Sequence, residues 1–484
     1  MTDITKKQYL LSSAPIAIDG MTQRRLGRVY LYTGEKLNIA ECKTLDGVEV
    51  LVIGNAFCAD KRDKCVKADV EACNGKDLLT ITRFWTGRWA IITEDMLSLD
   101  ATGLMGGFYF EDDGKWLVSS SLALVSKVTG KETIGRVRRE GLTWQMLPQT
   151  LISGVRAIGC FQYADFSNGT FRLCPKVWLT DKRELDTEQK CRAVAEMLVN
   201  SVGNIHKYSG KKLMIALTGG KDSRVAFSAL LKSSVPFSAY TAEHENISSA
   251  DKSVPRKLCE IFGVEHKYIR KKQFSKSKYD EYLAFCGSNS NGADANFYAC
   301  GQFDEIDANK VVIRSGIFEL GQTFARGYLS SDIDGFVKDA KKFYGELSDG
   351  GVQEKSFNEY IDYVKQNPID YIDLRDRFYL EQRVGGWVSA IEQSLDINEF
   401  TSIQIANCEE MLSVLSACNE KERSELALSY GVIRKLEPRA LDLPINKRTF
   451  SDRLGDLISV LKDPAGKAKR FVQKLSRLTE RKRK

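Results

Sequence analysis

Histidine is nearly missing from this chain: His206, His244 and His266 are the only three in 484 residues. So few imidazoles, so far apart, exclude a histidine-built metal centre and a Ser-His-Asp triad. Cysteine occurs twelve times, always singly, and no C-x-x-C pair appears. Zinc ribbons and dithiol redox pairs need that close spacing, so the cysteines read as reduced, mostly buried thiols. No window approaches the roughly 20 apolar residues of a membrane span. Met1-Thr-Asp-Ile-Thr-Lys-Lys lacks the basic head and apolar run of a signal peptide, so a cytoplasmic location is expected. Internal repeats and low-complexity tracts are absent as well.

What is present is the composition of a globular chain, 43% hydrophobic and 28% charged, long enough for two or three domains. The net charge of +7 is concentrated at the end, where Lys467–Lys484 is strongly basic. Phe471, Val472, Leu475 and Leu478 fall there at helical spacing. Residues 456–484 therefore read as a basic helical tail able to touch anionic lipid or an acidic substrate. No specific nucleic acid is expected as a partner.

Short apolar runs separated by turn residues predict a β-rich first part, residues 1–178. Examples are Val48–Gly54, Trp89–Thr93, Phe108–Phe110 and Trp116–Ser119, with turns at Asp112-Asp113-Gly114 and Ser167-Asn168-Gly169. The polar stretch from Thr180 to Glu188 reads as a linker, and a second domain is expected over 188–455. It opens with a helix from about Glu188 to Tyr208. Strands at Leu213–Leu217, Phe237–Thr241, His266–Ile269 and Val311–Arg314 then alternate with helices at Ser223–Leu231 and Ala250–Phe262. This order predicts a parallel sheet covered on both faces, followed beyond about residue 350 by a mainly helical part.

The chemistry concentrates where the first of these strands ends. Leu217 is followed by Thr218-Gly-Gly-Lys-Asp-Ser223, and a helix begins there. A strand delivers this loop to the carboxyl edge of a parallel sheet, where ligands of open α/β sheets bind. Gly219 and Gly220 would let backbone amides approach phosphate oxygens, and the helix adds the positive end of its dipole. Thr218 and Ser223 offer hydroxyl donors, and Lys221 adds a cation. Asp222 cannot hold phosphate, but as a carboxylate it suits magnesium. The loop is not a Walker motif, because the G-x-x-x-x-G-K-[ST] spacing is absent.

Thr218-Gly-Gly-Lys-Asp-Ser223 resembles the Ser-Gly-Gly-x-Asp-Ser loop of the PP-loop ATP pyrophosphatases. Three further segments resemble the asparagine synthetase-like branch of that family. Val312-Ile-Arg-Ser-Gly-Ile-Phe-Glu319 is similar to its strand and Ser-Gly turn. By that likeness Ser315 and Gly316 join Leu217–Ser223 in nucleotide binding, and Glu319 joins Asp222 as a magnesium ligand. Tyr430–Leu436 and Leu443-Pro-Ile-Asn-Lys447 resemble its C-terminal helix and loop, which implies that Lys447 lies over the phosphates. Gly87-Arg-Trp-Ala, Asp100-Ala-Thr-Gly103, Phe108-Tyr109 and Val118-Ser-Ser-Ser121 resemble its N-terminal glutamine amidotransferase domain. The implied fold class is α/β. An Ntn-like αββα sandwich would precede an adenine-nucleotide α-hydrolase-like parallel sheet with a helical C-terminal part.

Glutaminase chemistry needs a cysteine after the initiator methionine, where this chain has Thr2. About 20 residues are expected before the first apolar strand, near Arg28–Thr33, which leaves Thr2 badly placed. The first domain therefore reads as degenerate, as in β-lactam synthetases and lasso-peptide cyclases. The resemblance implies ATP and Mg2+ as cofactors and an ATP-dependent ligase. Such an enzyme activates a small-molecule, glycan or peptide carboxylate as an acyl-adenylate and passes it to ammonia or an amine. The implied nitrogen source is free ammonia, an ammonia-donor protein or the substrate's own amine. Glu381 is a candidate base for the amine, and Arg383 a candidate for binding carboxylate or phosphate. The alternatives are a PP-loop enzyme that modifies tRNA and a non-catalytic nucleotide-binding protein.

Overall fold

The computed structural model describes residues 3–445, except 136, 138–140, 177–178, 244–246, 288 and 290–292. The expected basic tail, 456–484, and Lys447 lie outside the described residues, as does Thr2.

The first part is built from strands β1 (Tyr9–Ser12), β2 (Met21–Leu26), β3 (Val29–Gly34), β4 (Ile39–Lys43), β5 (Glu49–Cys58) and β6 (Trp85–Ile92). It continues with β7 (Met96–Leu99), β8 (Phe108–Asp112), β9 (Lys115–Ser119), β10 (Arg156–Ala157), β11 (Gln162–Asp165) and β12 (Arg172–Pro175). They form two six-stranded antiparallel sheets, ordered β10-β8-β9-β1-β3-β2 and β12-β11-β7-β6-β5-β4.

Strand periodicity explains the layering, since alternate residues point to opposite faces. Leu51 and Ile53 of β5, Ala90 and Ile92 of β6, and Tyr9 and Leu11 of β1 meet between the sheets. The intervening Val50, Val52, Trp89 and Ile91 face outward and are covered by helices α1 (Val66–Glu71) and α2 (Leu78–Ile81). Leu10 and Leu117 face outward from the other sheet, beneath α3 (Leu122–Thr129). The result is the expected αββα sandwich. β1 lies between β9 and β3 and starts at Tyr9, not near residue 28. The expected long lead-in was wrong because Tyr9–Ser12 has only four residues, too short to display a period.

Helix α4 (Thr187–Ser209) starts on a capping box between Asp186 and Gln189. A parallel sheet follows, made of β13 (Lys212–Ala216), β14 (Phe237–Ala242), β15 (Glu265–Ile269), β16 (Lys310–Arg314) and β17 (Thr401–Gln404), in the order β15-β14-β13-β16-β17. Helices α5 (Lys221–Ser233) and α6 (Ser249–Phe262) supply the crossovers from β13 and β14. Leu213 and Ile215 bury against α4 and α5, while Met214 packs on the opposite face with Tyr240 and Val312. The edge strand β17 went unread in the sequence, because Thr-Ser-Ile-Gln carries one apolar residue in four. Among the described residues, the chain beyond residue 320 is mainly helical apart from β17. No helix among the described residues is long and apolar enough to cross a membrane.

The sandwich and the parallel sheet share a buried contact. Asp100 is fully buried and accepts hydrogen bonds from the amides of Leu104 and Met105 and from the Asn407 side chain. Asn407 also donates to the Gly87 carbonyl at 2.6 Å. Gly87 has φ +111°, and a Cβ there would stand 2.1 Å from the Asn55 carbonyl oxygen. The Gly-Arg-Trp-Ala and Asp-x-x-Gly motifs thus serve strand contact and packing between the two parts.

Candidate active site

β13 ends at Ala216, and Leu217–Gly220 turns the chain into α5. Thr218 is exposed and Gly219 buried against α6, where a Cβ would meet Ala250 atoms at 3.2–3.3 Å. The loop is held in shape by its own side chains. The Thr218 amide donates to Ser223 Oγ at 3.2 Å, and the Gly220 amide donates to Thr218 Oγ1 at 3.1 Å. The Gly219 amide donates to Asp251 Oδ1 at 2.6 Å. The paired glycines therefore do not present free amides, as the sequence reading supposed. The donors left for an anion are at the start of α5, whose cap residue, Gly220, makes no side-chain cap hydrogen bond.

Arg224 follows the motif and is fully buried. Its guanidinium donates to the carbonyls of Ala440 (3.1 Å), Leu443 (2.6 Å), Pro444 (2.6 Å) and Gly219 (3.2 Å). One side chain thus ties the loop to the segment that leads towards Lys447. Burial without a carboxylate partner pulls the Arg224 guanidinium down to about 10.

Asp222 and Glu319 come together. Asp222 is in the first turn of α5, and Glu319 is on the 3-10 turn Gly316–Gly321 after β16. Burial raises the pKa of both carboxyls, and the Asp222 charge raises Glu319 further. Lys221 Nζ stands 3.6 Å from Asp222 Oδ1, and Arg383 Nε 3.9 Å from Glu319 Oε2. Gln322 Nε2 donates to Asp222 Oδ1 at 3.0 Å. Two like-charged carboxylates, partly withdrawn from water, are ligands of the type a divalent cation such as Mg2+ takes.

Ser315 and Gly316 open the turn that carries Glu319. The Gly316 amide donates to Gln404 Oε1 at 2.9 Å, and its carbonyl accepts from Tyr379 Oη at 3.2 Å. Tyr379 is fully buried, and burial together with the charges of Glu319 and Asp222 holds its phenol protonated. Arg383, four residues on, lies over the rings of Trp387 (4.5 Å), Phe324 (5.0 Å) and Trp144 (5.6 Å). Three aromatic faces hold its guanidinium in place.

Glu381 is not brought to this group. It is buried, and its Oε2 accepts from Arg377 Nε at 3.0 Å. Its neighbours Tyr379 and Arg383 occupy the face of the same segment, Tyr379–Val388, that reaches Glu319. Sequence reasoning chose the wrong face. It also missed Gln322 and Asp251, which no motif marks. Arg224 carried one signal, a cation at the head of an apolar helical run.

Beside the loop, at the carboxyl edge of the sheet, lies a cleft of about 220 Å3. Leu217, Ala242, Ile269, Phe297 and Phe303 give it apolar walls, and Thr241, Gln302, Asp294 and Arg314 give it polar corners. Arg314 stands 3.5 Å from the buried carboxylate of Glu392. Burial raises the Asp294 carboxyl. Ten of the twelve cysteines are buried, and none lines this cleft among the described residues.

No protein-family model matches the chain, and no curated protein matches it. Among solved structures it is similar to NMN synthetase from Francisella tularensis, with 18% identity over 42% of this chain and 95% of that one and a TM-score of 0.22. It is also similar to glutamine-dependent NAD+ synthetase from Acinetobacter baumannii in complex with ADP, with 11% identity, coverage of 66% and 69%, and a TM-score of 0.21. A third is the glutamine phosphoribosylpyrophosphate amidotransferase from B. subtilis, with 9% identity, coverage of 58% and 87%, and a TM-score of 0.24. Scores of this size mark partial superpositions, and the chemistry of the site rests on this chain's own residues.

Proposed function

We propose that the chain is an ATP-dependent, AMP-forming carbon–nitrogen ligase of the asparagine synthetase-like kind. The observation that carries this reading is the pairing of Asp222, at the uncapped start of α5, with Glu319 on the turn after β16. This pair sits at the sheet edge where β13 ends, next to an apolar cleft of a shape and polarity suited to adenosine. Thr218, Ser223 and the first amides of α5 bind phosphate oxygens. Asp222 and Glu319 hold Mg2+, which when bound neutralises phosphate charge. Tyr379 fixes the Ser315–Gly316 turn, and Arg383 orients Glu319 or the substrate carboxylate.

In this reading a substrate carboxylate displaces pyrophosphate from the α-phosphorus of ATP, and ammonia or an amine then displaces AMP from the acyl carbon. Positioning and charge neutralisation supply most of the acceleration. The carboxylate belongs to a small molecule, a glycan or a peptide. The nitrogen comes from free ammonia, a donor protein or the substrate. Glu381 is not the base, because Arg377 already holds its carboxylate. Lys447 remains a proposed cation over the phosphates, and the basic tail a proposed contact with anionic surfaces. Against the tRNA-modifying alternative, no cysteine among the described residues lines the cleft beside the loop.

The test is to incubate the protein with ATP, Mg2+, hydroxylamine and pools of amino acids, uronic acids and peptides. Equal amounts of AMP and pyrophosphate, with a hydroxamate formed, are expected. Asp222→Ala should lose about 100-fold or more in rate. Release of ADP and phosphate instead, or equal turnover by the variant, would overturn the reading.

A further inference from the structure

A second cleft, of about 370 Å3, opens at the opposite edge of the parallel sheet, where that sheet meets the sandwich. Its walls come from residues at the starts of strands: Lys7 before β1, Lys211 before β13, and Thr401 and Ser402 in β17. Lys36 and Arg88 complete them from the sandwich. The volume is that of a small-molecule site rather than a packing defect.

Four cations line it, Lys7, Lys36, Arg88 and Lys211, against two carboxylates, Asp396 and Glu399, an excess of two positive charges (4 − 2). The carboxylates are already engaged. Arg88 pairs with Asp396, and both Lys36 and Lys6 pair with Glu399. Lys7 donates only to the carbonyls of Asn398 (2.7 Å) and Phe400 (2.9 Å), and Lys211 only to Thr401 Oγ1 (3.1 Å), among the described residues. Burial lowers both ammonium groups, Lys7 to about 8, and outweighs the opposing charges of Asp396 at Lys7 and Glu399 at Lys211.

Two half-buried ammonium groups without an ion-pair partner among the described residues are unfavourable. A multiply charged oxyanion would satisfy both at once. We propose that this cleft binds a small polyanion, a phosphate-bearing or polycarboxylate metabolite, through Lys7 and Lys211. The site is separate from the nucleotide loop, which leaves the sheet at the other end of β13, and the proposal does not depend on the ligase reading.

Calorimetric titration and thermal unfolding of the full chain, with citrate and with inorganic phosphate as probes, test it. At least one probe is expected to bind and raise the unfolding midpoint, and the stronger probe tells carboxylate from phosphate preference. Lys211→Gln should weaken it about tenfold (about 1.4 kcal/mol). Lys7→Gln should weaken it by a similar factor. Asp222→Ala and saturating Mg·ATP should leave anion affinity unchanged. Binding of neither probe, unchanged affinity in Lys211→Gln, or displacement by ATP would overturn the proposal; displacement would assign the anion to the nucleotide loop.

Discussion

Arg383 Nε stands 3.9 Å from Glu319 Oε2, near enough to oppose the carboxylate's charge but beyond hydrogen-bond reach. The guanidinium is held there by Trp144, Phe324 and Trp387 rather than by the acid. Arg383→Lys keeps the charge but loses the planar stacking. It is expected to lower pyrophosphate release about 10- to 100-fold, with a stability loss of about 1 kcal/mol. Rates measured beside denaturant midpoints would show the two effects separately.

Glu381→Gln should do the reverse. It weakens a buried pair with Arg377, so roughly 1–3 kcal/mol of stability should be lost. Turnover per folded molecule should be unchanged. A selective fall in kcat at unchanged stability would restore Glu381 as a catalytic base.

Arg224→Ala leaves four backbone carbonyls without their donor. A loss of about 3–5 kcal/mol is expected, together with new proteolytic cleavage near residues 440–445. Arg224→Lys should recover little, because an ammonium cannot span four carbonyls in the plane of a guanidinium. Urea titration and timed proteolysis read both outcomes.

His266 gives the fold a pH dependence of known sign. Burial lowers its pKa below the usual 6.5, with Arg256 adding to the effect, and its Nε2 lies 3.0 Å from Thr241 Oγ1. The unfolded imidazole takes a proton near 6.5, the folded one only at lower pH. Between those values the unfolded chain binds more protons, so this contribution is complete above that window and is lost as pH falls through it. His266→Gln should flatten the difference between unfolding midpoints at about pH 7.5 and about pH 5.5. An unchanged difference would show that other groups set it.

The inner strands of the parallel sheet, β14, β13 and β16, were legible as short, largely apolar runs, and they and the edge strand β15 fall within two residues of their expected limits. β1 and β17 were not, since four-residue strands take their structure from neighbours. The motif gave Asp222, and resemblance gave Glu319. Gln322 and Tyr379, which shape their environment, arrive from segments 60 to 160 residues away from one carboxylate or the other; Arg383 was read as a binder of carboxylate or phosphate, not as the neighbour of Glu319. Glu381 failed for a related reason. A π-type segment turns more slowly than an α-helix, and its facing cannot be read from 3.6-residue spacing.

The grip of Arg224 on Leu443 and Pro444 also orders events during synthesis. The Thr218–Ser223 loop is made about 220 residues before its backing carbonyls, those of Leu443 and Pro444. A nascent polypeptide therefore carries the motif long before it owns a finished site. A product truncated before residue 440 would display every diagnostic residue of the loop on an unbraced scaffold.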